Sequence, residues 1–320
     1  MTIGTLDTQG TSASPCRQIT RPNRRQGSRT LDAHMQGFSS VTETPPSVHH
    51  YTNVAGLVGI VSDSAIWASD VRFLNDSSEL RYAGGVLAER LRSEPMPPPD
   101  WYEDSPDGPV AMWEGGNTVG RGVAGYLDDV ADQFRCYVAC FCEYPDLLSQ
   151  WRGYAPGQGY CMGFDTAMLA PIMQPGVDLG TVIAEVVYDR SRMDELLEPH
   201  ARGLSDLRTG HPGVAAWHGA WNLLPLLSSM KHAAFREESE WRMIKTVETA
   251  PEPSSEIRFR PSPLGVVPYV PLPIARPALR DVRIGPGANA DVRAKGVVDL
   301  LRAHGFCNVE VLLSEAPFRG

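Results

Sequence analysis

Seven consecutive residues, Cys136-Tyr137-Val138-Ala139-Cys140-Phe141-Cys142, contain no charge, no glycine and no proline. Successive side chains of a strand point to opposite faces, so an apolar run without alternation needs cover on both. The run reads as a buried central strand, and the rest of the chain must supply its neighbours. Val48–Thr52 and Ile66–Ser69 read as short strands. Between them a helix spans residues 54 to 61, with Asn53 as its cap and Val54, Leu57, Val58 and Val61 at helical spacing. Asp76 or Ser77 caps a further helix, with Glu79 placed for a capping box, that runs to about Arg92. Residues 93–116, with Pro95, Pro97, Pro98 and Pro99, read as a loop, and a helix covers Val119 to Phe134.

Further strands are expected at 157–164, 182–188, 257–260, 264–272, 281–284 and 309–313. Pro268, Pro271 and Pro273 reduce 264–272 to an edge or a short piece. Helices are expected at 190–207, 213–230 and 291–304, and Gly285-Pro286-Gly287-Ala288 as a tight turn. There is no regular βαβ alternation. The pattern predicts an α+β fold with a mixed, mainly antiparallel sheet and flanking helices. Residues 1–47, rich in Ser, Thr, Gln, Gly and Arg, read as a disordered tail before a single domain over 48–320, and Met35 is a candidate start.

The chain carries a formal net charge of -9, which argues against broad binding to nucleic-acid phosphates. The cluster Arg17, Arg21, Arg24, Arg25 and Arg29 is the place for weak nucleic-acid contact. Six irregularly spaced cysteines suit a reducing cytoplasm, and no apolar run spans a membrane. The N-terminus has no basic-then-apolar pattern. Phosphate-loop, dinucleotide, zinc-protease and nucleophile-elbow motifs are absent. Cys136, Cys140 and Cys142 alternate along one strand without a second close pair, so they read as core residues, and no metal site is assigned.

Polar and aromatic residues collect instead at strand ends. Glu237-Glu238-Ser239-Glu240-Trp241-Arg242 places three carboxylates, an indole and a guanidinium together. Strand alternation would put Glu238 and Glu240 on one face and Trp241 on the other. With them go His50, Tyr51, Thr52, Asn75, Asp76, Glu79, Gln150, Trp151, Arg152, Tyr154, Lys231, His232 and Arg242, a set that reads as a cleft.

In order along the chain, His50-Tyr51-Thr52, Ile66–Asp70, Phe73–Glu79, Gln150–Tyr154 with Gly163-Phe164-Asp165, and Lys231-His232 with Phe235 to Arg242 resemble the bacterial domain of unknown function family twenty-nine-seventy-one. That resemblance covers roughly residues 48–318 and implies no chemistry. The opening His50-Tyr51-Thr52, followed by a helix and a short strand, also resembles the start of ADP-ribosyltransferase domains. Their folds are split mixed sheets that clamp NAD, so this second resemblance implies NAD as substrate and a protein or nucleic-acid acceptor, in a toxin or defence effector. His50 would hold a ribose hydroxyl, with Thr52 and Arg152 also on the NAD side, and Tyr51 or Tyr82 would stack on nicotinamide. Glu240 would stabilise the oxocarbenium ion, with Glu238 orienting the acceptor. The chain lacks the Ser-Thr-Ser strand motif, and Glu237 blurs the register of the Glu-x-Glu pair.

Two alternatives stand beside it. Asp76, Glu79, Glu238 and Glu240 would suit Mg²⁺ in a hydrolase or nuclease-like enzyme. A non-catalytic binding or regulatory module would use Arg152 and Arg242 as buried partners of the carboxylates.

Overall fold

The computed structural model describes residues 44–74, 79–93, 134–169, 181–206, 223–249, 254–262 and 264–317. Outside them lie residues 1–43 of the expected tail, with Met35 and the Arg17–Arg29 cluster, then Asn75 and Asp76, the proline-rich segment, most of the helix placed before Phe134, and residues 213–222 of the helix expected over 213–230. The elements run β1 (Ser47–Thr52), α1 (Val54–Asp63), β2 (Ala65–Asp70), α2 (Glu79–Ser93), β3 (Phe134–Cys142), α3 (Leu148–Tyr154), β4 (Tyr160–Asp165) and α4 (Thr166–Leu169). They continue as β5 (Thr181–Glu185), α5 (Arg190–Asp206), α6 (Leu224–Leu227), β6 (Glu240–Glu248), β7 (Arg258–Ser262), β8 (Gly265–Pro273), β9 (Leu279–Ile284), α7 (Ala290–Ala303) and β10 (Glu310–Leu313).

β3 is central, as its composition requires. Tyr137, Ala139 and Phe141 turn to one face, into the main core with Leu57, Ile60 and Val61 of α1 and Val297 and Leu301 of α7. Cys136 and Val138 turn to the other, against Leu224 of α6 and Val71. Cover on both faces explains the missing alternation. Phe134 belongs to this strand and not to a preceding helix, because its ring is buried in the second core. Asn53 caps α1, its side chain accepting from the Gly56 amide at 2.9 Å. Gly59 lets α1 sit close, since a Cβ there would lie 2.1 Å from the Trp67 ring.

The architecture is mixed α+β, an open and mainly antiparallel sheet with helices. The strand order is β10-β9-β4-β1-β3-β2-β8-β7, with β6 on the far side of β3 and β5 outside β6. β9, α7 and β10 form the one parallel unit among the named strands.

Two strand expectations and one helix expectation change. β8 is nine residues long and lies between β2 and β7, so it is neither short nor a sheet edge. Its pairing explains how it carries three prolines. β7 pairs residues 265–269 and β2 pairs residues 269–273, so the neighbours overlap only at Tyr269. Each half of β8 has one side without a partner strand, and a missing N–H is tolerated there. The strand expected over 182–188 ends at Glu185, and Val187 makes a single parallel bridge to Met230. Of the helix expected over 213–230, the described part is one turn, Leu224–Leu227.

Candidate functional site

The site arises where the sheet parts. On one edge β3 is paired by β6 along its whole length, Phe134 to Cys142. On the other, β1 meets it only at Cys142, and β2 only at Val138 and Tyr137. Ala139, Cys140 and Phe141 have no strand on that side. His50 fills part of the gap: its Nδ1 lies 2.8 Å from the Cys140 carbonyl oxygen. A carbonyl only accepts, so Nδ1 carries the proton and Nε2 is left as an acceptor. Burial, followed by the nearby Arg260 charge, lowers the pKa of the imidazole and keeps it neutral. A cleft of about 890 Å³ opens here, lined from β1 by His50 and Thr52, from β2 by Trp67 and Ser69, and from both faces of β3.

At one end of this cleft five charged side chains form a buried network. Lys231 Nζ lies 3.1 Å from Glu79 Oε1, 2.6 Å from Glu238 Oε2 and 3.1 Å from Glu240 Oε2. The Arg242 guanidinium grips Glu240 with both Nε (2.8 Å) and Nη2 (2.9 Å), and Nη2 also lies 2.8 Å from Glu79 Oε2. Its Nη1 donates to the Ser228 carbonyl at 2.7 Å. Tyr154 donates to Glu238 Oε1 at 3.0 Å. Burial raises the Tyr154 pKa, which keeps this hydroxyl a donor. Burial alone would weaken both cations, but Glu240 and then Glu79 hold Lys231 above its ordinary pKa, and Glu240 does the same for Arg242. Three carboxylates against two cations leave one formal negative charge over. Glu238 is the most exposed of the three, at 18 % against 5 % for Glu79 and 6 % for Glu240.

Glu238 and Glu240 meet at Lys231 by a different route from the expected alternation. Glu238 closes a 3₁₀ turn, Ala233–Glu238, and Ser239 takes a left-handed conformation (φ 42°) before β6 begins at Glu240. That kink swings Glu238 back onto the side of Glu240. From Glu240 on, alternation holds: Arg242 pairs with Glu240, and Trp241 and Met243 enter the opposite core.

Of the predicted residues, His50, Tyr51, Thr52, Glu79, Gln150, Tyr154, Lys231, Glu238, Glu240 and Arg242 line one cleft. Gln150 and Tyr154 do so together because they stand four apart on α3. Others are placed elsewhere. Trp151 is buried on the far side of α3, edge-on to Tyr51 at 4.8 Å and donating to Asp146. Arg152 is exposed and not a buried partner of the carboxylates. Tyr82 packs edge-on to His232 at 5.3 Å, and neither lines the cleft. His232 caps the 3₁₀ turn through its ring, which accepts from the Ala234 amide. The Tyr51 hydroxyl donates to the Tyr144 carbonyl and accepts from the Leu147 amide, which fixes its ring in the wall. Cleft residues outside the predicted site set include Ser69, Cys140, Phe235 and Arg260. The Lys231 ammonium sits 4.8 Å from the centre of the Phe235 ring. Among the described residues no group of three His, Cys, Asp or Glu is arranged for a metal. The Glu79, Glu238 and Glu240 carboxylates gather instead on the Lys231 ammonium.

The network makes a pH prediction. Burial would raise the Glu240 carboxyl, but Arg242 outweighs it, followed by Lys231, and holds the group down to about 2. A depressed carboxylate contributes stability above its unfolded pKa near 4.5 and loses it as pH falls towards 2. The contribution is on the order of 3 kcal/mol. Urea unfolding of the wild type from pH 6 to pH 2.5 is expected to show this loss, and Glu240→Gln a flatter profile. Parallel profiles for the two proteins would contradict it.

No helix among the described residues is long and apolar enough to cross a membrane, and the five described cysteines are unpaired. No curated protein and no solved structure matches the chain. A family model does. Residues 150–243 match the family described as protein of unknown function (DUF2971), and this span supplies Gln150, Tyr154, Lys231, Glu238, Glu240 and Arg242 to the cleft.

Proposed function

We propose that the cleft binds NAD and transfers its ADP-ribosyl group to a macromolecular acceptor. The observation that carries this reading is the parting of β1 and β2 along β3. It opens one cleft lined by the first-strand His50 and by the Glu238–Glu240 pair at the start of β6. Its volume, about 890 Å³, lies within the roughly 300–1,000 Å³ usual for ligand pockets. The neutral His50 presents Nε2 as an acceptor for a ribose hydroxyl. At the acidic end Tyr154 and Phe235 supply aromatic faces for the nicotinamide ring.

In this reaction the bond between ribose C1′ and the nicotinamide nitrogen breaks. Its electron pair goes to the ring nitrogen and cancels the pyridinium charge, and C1′ becomes cationic until an acceptor oxygen or nitrogen attacks and loses its proton. The excess negative charge of the network suits that transient cation. Both carboxylates have partners on both oxygens, but Glu240 is chelated by the buried Arg242 and is 6 % exposed against 18 % for Glu238, so we assign the contact with the sugar to Glu238 and a supporting role to Glu240. The acceptor would enter through the open side of the gap.

Titration of NAD into the full chain tests this reading. His50→Ala is expected to weaken binding about tenfold, the worth of one hydrogen bond to a buried partner. Equal affinities, with both proteins folded, would remove His50 from the site.

A further inference from the structure

Three cationic side chains other than histidine line the cleft, Lys231, Arg242 and Arg260. The first two are matched by carboxylates at 2.6–3.1 Å. Arg260 is not. It stands on β7, the outermost strand of its side of the sheet, and reaches inward over β8. Its Nη2 donates to Ser69 Oγ at 2.8 Å. Its Nε is buried without a hydrogen-bond partner, and no carboxylate among the described residues pairs with it. A guanidinium carries five N–H donors in a rigid fork, and among the described residues one of them is used. Burial pulls its pKa down, against a smaller opposing effect of the Tyr269 phenol. A half-buried cation that lines a ligand-sized cleft without a carboxylate partner has donors left for an anion that arrives with the ligand.

Position along β3 gives the spacing. Ser69, which holds Arg260, pairs with Val138, and Glu240 pairs with Cys142 on the opposite edge. Four residues of strand separate those levels by about 13 Å. The cleft therefore has an acidic end at Glu238 and a cationic position further along at Arg260, with His50 Nε2 between them as an acceptor.

We infer that Arg260, steadied by Ser69, is the anion anchor of the cleft and receives a phosphoryl group of the ligand. The assignment rests on the reading of the cleft as an NAD site and names the residue that would hold the pyrophosphate. The fork geometry suits two oxygens of one phosphoryl group, and His50, an acceptor, is left for a hydroxyl.

Calorimetric titration of the full chain with inorganic pyrophosphate and with ADP-ribose tests it. Both are expected to bind the wild type, and Arg260→Gln to weaken both about tenfold or more. Arg260→Lys, which keeps the charge and loses the fork, should fall between. Ser69→Ala leaves the guanidinium in place but unsteadied and should weaken binding by about a factor of three, so it serves if Arg260→Gln does not fold. Affinities unchanged in the arginine variants, or no binding of either probe to the wild type, would overturn the assignment. Arg260-dependent binding of pyrophosphate without any nicotinamide release would uphold the anchor and reject NAD as the substrate.

Discussion

Arg242→Met is expected to destabilise the chain by about 3–5 kcal/mol, the usual cost of removing one partner from a buried ion pair. The Arg242 side chain is 1 % exposed and touches three acceptors at once: Glu240 through two nitrogens, Glu79, and the Ser228 carbonyl. Without it, Glu79, Glu238 and Glu240 share the single Lys231 ammonium in a site that water barely reaches. Methionine fills most of the volume, so the loss would reflect charge and hydrogen bonding more than a cavity. Urea unfolding at pH 7 measures it. Because the damage is an uncompensated carboxylate, adding Glu240→Leu to Arg242→Met should recover part of the loss. A single variant within about 1 kcal/mol of wild type would mean the network is not held by its arginine.

Glu238→Gln is expected to do the opposite. It should reduce nicotinamide release by about a hundredfold or more, the scale on which removing a transition-state electrostatic contact acts. Stability should change by no more than about 1 kcal/mol. Glu238 sits at the cleft end of the network and keeps its orientation through the Tyr154 hydroxyl and Lys231. Glutamine preserves shape and removes the charge: its oxygen can still accept from Lys231, while its NH2 donates to the Tyr154 hydroxyl, which turns from donor to acceptor. Glu240→Gln is the control, because its main effect should fall on stability. If Glu240→Gln abolished turnover in a fully stable protein while Glu238→Gln turned over normally, the two roles would be reversed.

The sequence revealed most where one local rule decided the outcome. The uncharged run Cys136–Cys142 could only be a doubly covered strand, and it is β3. Asn53 and the apolar spacing after it marked the start of α1. The cleft was legible as a list because polar residues at strand ends converge when the strands share a sheet. Long-range pairing stayed hidden. Nothing local told that β7 and β2 would each take only half of β8, which is what lets its prolines lie inside the sheet. Nor did any motif mark where β1 leaves β3 and β2 takes over.

Side-chain roles were lost for related reasons. Trp151, Arg152 and Tyr154 adjoin in sequence, but one helical turn sends them in three directions: into a core, into solvent and into the cleft. Glu238 and Glu240 were paired correctly for a geometric reason that does not hold, since a left-handed Ser239 brings them together. Arg260 read as one charge in a strand with Arg258. Only the fold shows that it turns towards Ser69 while Arg258 lies exposed near Asp63.

We propose that this cleft cleaves the bond between ribose and nicotinamide. The direct measurement is nicotinamide release from NAD by the full chain, followed with Glu238→Gln alongside and repeated in excess chelator. The account predicts release by the wild type, loss in the variant, and no effect of the chelator. No release and no NAD binding at millimolar concentration would contradict it.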